Sequence, residues 1–190
     1  MKKLILCLLV FATIASFAQD DLAIKKDFQT IITYTQQLQI NKVLDMTYPP
    51  LFKIMPKEQM AAMAEGAMKS MGVKTIYEQV PVNLVLSPVK KAGAATICVG
   101  KYSQSMVMQS SNKQMLDMIT KNPMQGKVVE KIGADKVRIK GTDYLLAIKD
   151  GNTGGTWKYL RYDSQDAQIN AKVLSKDIQT TATTLKAGLK

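Results

Sequence analysis

The stretch Leu145–Leu160, which reads LLAIKDGNTGGTWKYL, decides the fold. It contains most of two runs, Tyr144–Ile148 and Thr156–Tyr162, that are rich in residues typical of strands. The segment Asp150–Gly155 between them consists of residues that tolerate the positive φ of tight turns. The stretch therefore predicts an antiparallel hairpin.

Two further strands are predicted upstream of this hairpin. Residues Val73–Leu86 are rich in β-branched and aromatic side chains, and Ala94–Gln109 begins with apolar side chains at alternate positions. The segment Lys90–Gly93 between them suits a turn. Together the four strands predict an antiparallel sheet.

The chain before the sheet has a helical period instead. Apolar residues in Leu22–Leu38 recur at spacings near 3.6, which predicts an amphipathic helix. A short helix, Asn41–Met46, is followed by Pro49-Pro50, which helices do not continue through. A third helix is predicted from Pro56 to Gly72, because proline suits the first turn of a helix and glycine the residue after the last.

This order of elements predicts an α+β fold in which the N-terminal helices pack in the concave face of a curved antiparallel sheet. We assign residues 19–165 to one domain, since the length suits a single core. Residues 166–190 form a C-terminal tail whose apolar residues have a loosely helical spacing.

Residues 1–18 have the features of a secretory signal peptide. Two lysines precede an apolar run, and the small residues Ser16 and Ala18 stand at the positions that signal peptidase requires. We expect cleavage before Gln19 and export to the periplasm or the exterior. No stable membrane insertion is expected after cleavage, since the run is short for a hydrocarbon core of about 30 Å. A lipid on Cys7 is the less favoured alternative, because too little apolar sequence precedes it.

The composition excludes several functions. The chain has 26 basic and 15 acidic side chains but no histidine, which excludes Ser-His-Asp catalysis and histidine-ligated zinc. Its lysines are scattered and its only arginines are Arg138 and Arg161, so we predict no nucleic-acid partner. Cleavage would leave Cys98 as the single cysteine, which rules out an intramolecular disulfide. Its apolar neighbours predict a buried thiol.

The hairpin, the amphipathic first helix and two short stretches resemble the NTF2-like (cystatin-like) superfamily, and within it small exported proteins of Bacteroidetes. The two stretches are Phe17-Ala18-Gln19 and Val43–Pro50, which reads VLDMTYPP. The resemblance covers most of residues 20–165. It implies a cone-shaped sheet whose open end can hold a small apolar ligand. Some members of the superfamily are isomerases or dehydratases with acid–base residues inside the cone, while others are non-catalytic or form dimers.

Asp45 and Tyr48 are the candidates for the rim of such a pocket, because they lie near the end of the short helix. We favour a structural interpretation, in which Asp45 caps a helix or faces solvent and Tyr48 packs against the sheet. No catalytic residue, metal or cofactor is therefore predicted. The predicted function is that of an exported, non-catalytic protein that binds a small apolar ligand or acts as an interaction module, with homodimerisation through the outer sheet face. The alternative is a proton-transfer isomerase or lyase that uses Asp45 or a tyrosine on a small apolar substrate.

Twelve methionines are the most unusual feature of the composition. Four of them, Met60, Met63, Met68 and Met71, lie on one face of the third predicted helix. Core packing is the first interpretation and an adaptable ligand cavity the second. Copper binding is third, because histidine, its usual companion ligand, is missing. The first interpretation predicts that these side chains are mostly buried.

Overall fold

The computed structural model describes residues 20–70 and 72–189, and for residues 67–70 the backbone alone. The predicted signal peptide, its cleavage site and Cys7 lie outside the described residues. Within the described part of the chain, no helix combines the length and the apolar character needed to cross a membrane.

The described residues form six α-helices and a sheet of seven strands. The helices are α1 (20–36), α2 (Ile40–Met46), α3 (Lys57–Ser70), α4 (Lys113–Lys121), α5 (Ala167–Val173) and α6 (Lys176–Gly188). The strands are β1 (Val73–Tyr77), β2 (Val85–Leu86), β3 (Lys90–Ala92), β4 (Ala95–Ser110), β5 (Lys127–Lys131), β6 (Lys136–Lys149) and β7 (Lys158–Arg161). Short 3-10 helices cover Pro49–Lys53, Gly151–Thr153 and Ser164–Asp166.

The sheet is antiparallel and curved, and it does not close into a barrel. Strands β4 and β6 form its centre, and their pairing runs from Thr96 opposite Lys149 to Gln109 opposite Lys136. Strands β1, β2 and β3 pair with successive segments of β4 on its edge away from β6. Strands β5 and β7 pair with successive segments of β6 on its edge away from β4. The predicted α+β fold class is confirmed.

One face of the sheet, here called the α1 face, packs against α1. The Phe28 ring lies over Gly100 of β4, where a Cβ atom would come within 2.7 Å of the ring. Phe28 also packs edge-on against Tyr159 of β7, with ring centroids 5.2 Å apart. A second helix, α4, covers the far end of the same face by burying Leu116 against Val137 and its neighbours. The N-terminal helix thus packs on the sheet as the apolar period predicts.

The opposite face, here called the α6 face, is covered by the C-terminal helices. Its buried side chains come from the central strands and β7 on one side and from α6 and the end of α5 on the other: Ile97, Val99, Leu146, Ile148, Leu160, Leu174, Ile178, Ala182 and Leu185. Ser175 caps α6 by accepting a hydrogen bond from the Ile178 amide at 3.4 Å. Within residues 166–189, the described part of the segment assigned to a tail from the sequence, several side chains thus contribute directly to the core.

The buried cysteine is confirmed. Cys98 belongs to the cluster beneath α1, and its Sγ donates to the Ser87 carbonyl at 3.2 Å. Burial raises the pKa of this thiol to about 11, which disfavours the reactive thiolate.

The two methionines of the α3 stripe whose side chains are described, Met60 and Met63, do not form a buried layer. Met63 is 54 % exposed, so the core interpretation is wrong at this position. The physical reason is that α3 packs beside α2 and β1, at the margin of the sheet rather than across it. Met60 is half-buried and lines a cavity, whereas the side chains of Met68 and Met71 lie outside the described part.

Candidate functional site

A cavity of about 460 Å³ lies on the α1 face between the regions that α1 and α4 cover. Its walls are mostly aliphatic and methionine side chains: Ile31, Val43, Leu51, Met60, Met106, Met124, Leu145 and Ile169. Side chains alternate between the two faces of a strand, so Tyr102, Gln104 and Met106 of β4 all line the same cavity. Helix α5 closes one side of it through Ile169 and Asn170.

A buried ion pair lies in the cavity wall. Lys127 Nζ is 2.6 Å from Asp143 Oδ1, and the two side chains are only 6 % and 5 % exposed. Lys127 Nζ also donates to the Thr142 carbonyl at 3.2 Å. The pair depends on Gly141, which lies opposite Lys127 in the sheet. A Cβ at Gly141 would overlap the Gly126 carbonyl oxygen and come within 2.5 Å of Lys127 Cδ, so the missing side chain leaves room for the lysine to lie over Gly141 and reach the aspartate.

Arg161 carries the second positive charge of the lining. Its Nη2 is 3.8 Å from Asp143 Oδ1, and its Nε is 3.1 Å from Asp163 Oδ2 and 3.5 Å from Asp166 Oδ2. Burial raises the pKa of Asp163, and the nearby charge of Asp143 raises it further. Among the charged side chains that line the cavity, Lys127 and Arg161 are balanced by Asp143 and Asp166.

Three tyrosines contribute neutral hydroxyl groups. Burial raises the pKa of Tyr77, Tyr102 and Tyr159, and the charge of Asp143 raises it further for the first two. The Tyr159 hydroxyl donates to Asp27 Oδ2 at 2.6 Å. The hydroxyls of Tyr77 and Tyr102 have no hydrogen-bond partner among the residues described, so both can bind a polar group inside the cavity.

Asn170 supplies an acceptor to the same region. It is 4 % exposed, and its Nδ2 donates to the Arg161 carbonyl at 3.1 Å. Its Oδ1 is buried and has no partner within the described structure. Buried side-chain oxygens are nearly always hydrogen-bonded, so this atom is an exception among the described residues. Asn170 borders both this cavity and a second pocket that includes Tyr162 and Lys186.

The structure places neither Asp45 nor Tyr48 among the residues described as lining the cavity. The Asp45 side chain is 63 % exposed and pairs with Lys57 at the start of α3. Tyr48 is buried against the α6-face core, and its hydroxyl donates to Asp150 Oδ2 at 2.7 Å. Thr47, between the two candidates, does line the cavity, because it is bridged to Tyr159 at the edge of β7.

Sequence reasoning missed the polar residues that do line the cavity. One signal for Asp143 was present: it lies an even number of residues from Val137, Ile139, Leu145 and Ala147, which all face inward. An acidic residue in such a buried series indicates a paired or functional charge. Lys127 and Asn170 gave no comparable signal, because their positions depend on the β5–β6 pairing and on the docking of α5.

Comparisons with known proteins add no relative to this description. No protein-family model matches the chain, and no curated protein matches it. The NTF2-like resemblance stays a prediction.

Proposed function

We propose that this protein is a non-catalytic carrier of a small, mainly apolar ligand bound in the cavity on the α1 face. The cavity itself is the observation that supports the proposal. Its volume of about 460 Å³ lies within the usual range of ligand sites, and its apolar walls surround a few polar groups, as in typical small-molecule pockets. The proposal retains an NTF2-like origin and export through residues 1–18.

The polar groups of the cavity suit binding better than proton transfer. A general base needs a pKa near the working pH, whereas the raised pKa values of Tyr77 and Tyr102 keep both hydroxyls protonated. Asp143 is held by Lys127 in a buried ion pair. Asp45, named for the isomerase or lyase alternative, faces solvent outside the cavity. The enzyme alternative therefore has less support than the carrier.

A dimer through the outer sheet face also has less support. The part of that face around Val99 and Leu146 is already covered by α6 of the same chain. The part further along carries a charged network of Glu78, Arg138 and Glu130, which suits contact with water.

A fluorescent probe and a matched pair of variants test the carrier proposal. N-Phenyl-1-naphthylamine is uncharged and fluoresces strongly in apolar surroundings, so titration should give a saturable rise. Thr35 lies in the cavity wall on α1, and Thr35→Phe should fill part of the space and weaken binding of the probe. Thr33 is exposed on the same helix, so Thr33→Phe serves as the control and should bind like the parent. The proposal fails if the parent gives no saturable rise, or if a folded Thr35→Phe variant binds as well as the control.

A further inference from the structure

Tyr102 is the one buried tyrosine of the described residues whose hydroxyl has no hydrogen-bond partner. Tyr48, Tyr102 and Tyr159 are 2 %, 8 % and 3 % exposed. The hydroxyls of Tyr48 and Tyr159 donate to carboxylates at 2.7 Å and 2.6 Å. Tyr102 belongs to the same cluster beneath α1 as Tyr159, yet its O–H bond meets no acceptor in the described structure. Buried polar groups are rarely left unpaired, so the missing acceptor needs an explanation.

The Tyr102 hydroxyl can be reached from the cavity. Among the described residues, the side-chain atoms that are both sealed from solvent and unpaired are Gln39 Oε1 and Asn170 Oδ1, and the Tyr102 hydroxyl is not one of them. The hydroxyl therefore has accessible surface, although most of the residue is buried. Because Tyr102 lines the cavity, a ligand atom there can come within hydrogen-bond distance of the hydroxyl.

The described residues offer this hydroxyl no acceptor. Asp143 is directly opposite Tyr102 in the β4–β6 pairing, but its carboxylate pairs with Lys127 at 2.6 Å, and no hydrogen bond joins it to the hydroxyl within the described structure. Burying an unpaired donor is unfavourable, and phenylalanine at the same position would avoid that cost. The hydroxyl is therefore best explained by an acceptor that a ligand supplies.

The charges around Tyr102 restrict which acceptor can bind. Burial raises the pKa of the hydroxyl, and the carboxylates of Asp143 and Asp163 raise it further, against the opposing charge of Arg161. The effect of Asp143 exceeds that of Arg161, so the electrostatic potential at the hydroxyl is negative. A carboxylate of the ligand would be repelled there, and an ammonium group has no acceptor atom. The acceptor that fits is uncharged.

We infer that the ligand of the cavity carries an uncharged hydrogen-bond acceptor, such as a ketone or ester carbonyl oxygen, and that the Tyr102 hydroxyl donates to it. The inference rests on the proposed function of the cavity. The apolar walls, which include Ile31 and Leu145, surround the rest of the ligand. Tyr102 is then the residue that distinguishes such a ligand from a plain hydrocarbon.

Two ligands of nearly identical shape test the inference by displacement of N-phenyl-1-naphthylamine at pH 7. 2-Octanone has a carbonyl oxygen where 2-methyl-1-octene has a CH₂ group, so the alkene is the matched control. Both are measured on the parent and on Tyr102→Phe, which removes only the hydroxyl. We expect the variant to bind 2-octanone about threefold to tenfold more weakly, the loss usual for one hydrogen bond, and to bind the alkene like the parent. Comparing the two proteins for each ligand cancels the different hydration of ketone and alkene.

Tyr34→Phe is the control variant. Tyr34 is half-buried on α1 and lies outside the described cavity lining, so the same chemical change should leave the binding of both ligands unaltered. Octanoate tests the charge argument, and it should bind the parent more weakly than 2-octanone does.

A vibrational measurement needs no variant. The C=O stretching frequency of 2-octanone bound to the parent should lie below its value in hexane, because a hydrogen bond weakens the C=O bond. In Tyr102→Phe the frequency should return toward the hexane value. The measurement on the parent stands even if the variant does not fold.

The outcomes distinguish the inference from the proposed function. If folded Tyr102→Phe weakens both ligands equally, or neither, the inference is wrong and the carrier proposal stands. The same holds if octanoate binds more tightly than 2-octanone, or if the carbonyl frequency on the parent equals that in hexane. If neither the probe nor any of the three ligands binds, the carrier proposal fails and the inference fails with it.

Discussion

Breaking the buried Lys127–Asp143 pair should destabilise the protein far more than removing both charges. The two side chains are 6 % and 5 % exposed, so Asp143→Leu leaves an ammonium group buried without its partner. Such a change typically costs about 3–5 kcal/mol. For a domain of this size that corresponds to a fall of roughly 6–20 °C in Tm. Lys127→Met should cost less, because the carboxylate that it leaves buried still has Arg161 Nη2 at 3.8 Å from its Oδ1.

The double variant Lys127→Met/Asp143→Leu should recover most of this loss. Replacing a buried ion pair by apolar side chains of similar volume is typically neutral or stabilising by about 1–4 kcal/mol. Chemical denaturation of the parent, both single variants and the double variant gives the coupling energy. The exposed pair Lys131–Asp117 is the control, since its side chains are 50 % and 49 % exposed and 2.9 Å apart. Its cycle should give a coupling of about 0–1 kcal/mol.

Additive losses in the buried cycle would refute this reasoning. If the double variant is destabilised by the sum of the two single variants, the two charges do not compensate each other. A coupling no larger than that of the exposed pair would likewise mean that Lys127 and Asp143 are not desolvated together.

Three further outcomes follow from the packing. Gly141→Ala should cost about 1–3 kcal/mol in chemical denaturation, because the added Cβ overlaps the Gly126 carbonyl oxygen as well as the Lys127 side chain; an unchanged midpoint would contradict this packing. Met63→Ala should change the free energy of unfolding by less than about 0.5 kcal/mol, since Met63 is largely exposed; a loss in the core range of about 2–5 kcal/mol would restore the core interpretation. Cys98, whose pKa is raised to about 11, should resist an aromatic disulfide reagent at pH 8 until the protein unfolds, and rapid labelling of the native protein would show that the thiol is accessible.

Local patterns predicted the elements of the fold well. The hairpin Leu145–Leu160 has a strand period on both sides of a glycine-rich loop, and Gly154 and Gly155 adopt φ of 59° and 76° there. The first helix was equally visible, because Phe28 and its apolar neighbours repeat at helical spacing. These features depend on residues close together in sequence, so one chain suffices to detect them.

The site was not predictable in the same way, because contacts between distant residues create it. Tyr48 was a rim candidate only from its place near a helix end, and the favoured interpretation packed it against the sheet; its contacts, with the α6-face core and with Asp150, are to residues distant in sequence. Asn170 joins the cavity only because α5 docks beside Arg161. The burial of Met63 was misjudged for a related reason: an apolar face on a helix shows that something packs there, but not how completely.

The empty space on the α1 face has a geometric origin. Strand β6 has 14 residues and is about 45 Å long. A helix that lies across the strands is only about 10–12 Å in diameter, so it covers about that much of the strand's length. On the α1 face, α1 and α4 cover two separate regions, and the strip between them includes Tyr102 and Asp143. A large apolar side chain at position 143 could fill part of this strip, yet the chain has an aspartate there and uses Gly141 to bring a lysine to it. A cavity lined by apolar walls and a compensated charge pair is a costly way to build a core, since an apolar filling is usually at least as stable. That cost is the physical reason to look for a ligand in this cavity rather than to regard it as imperfect packing.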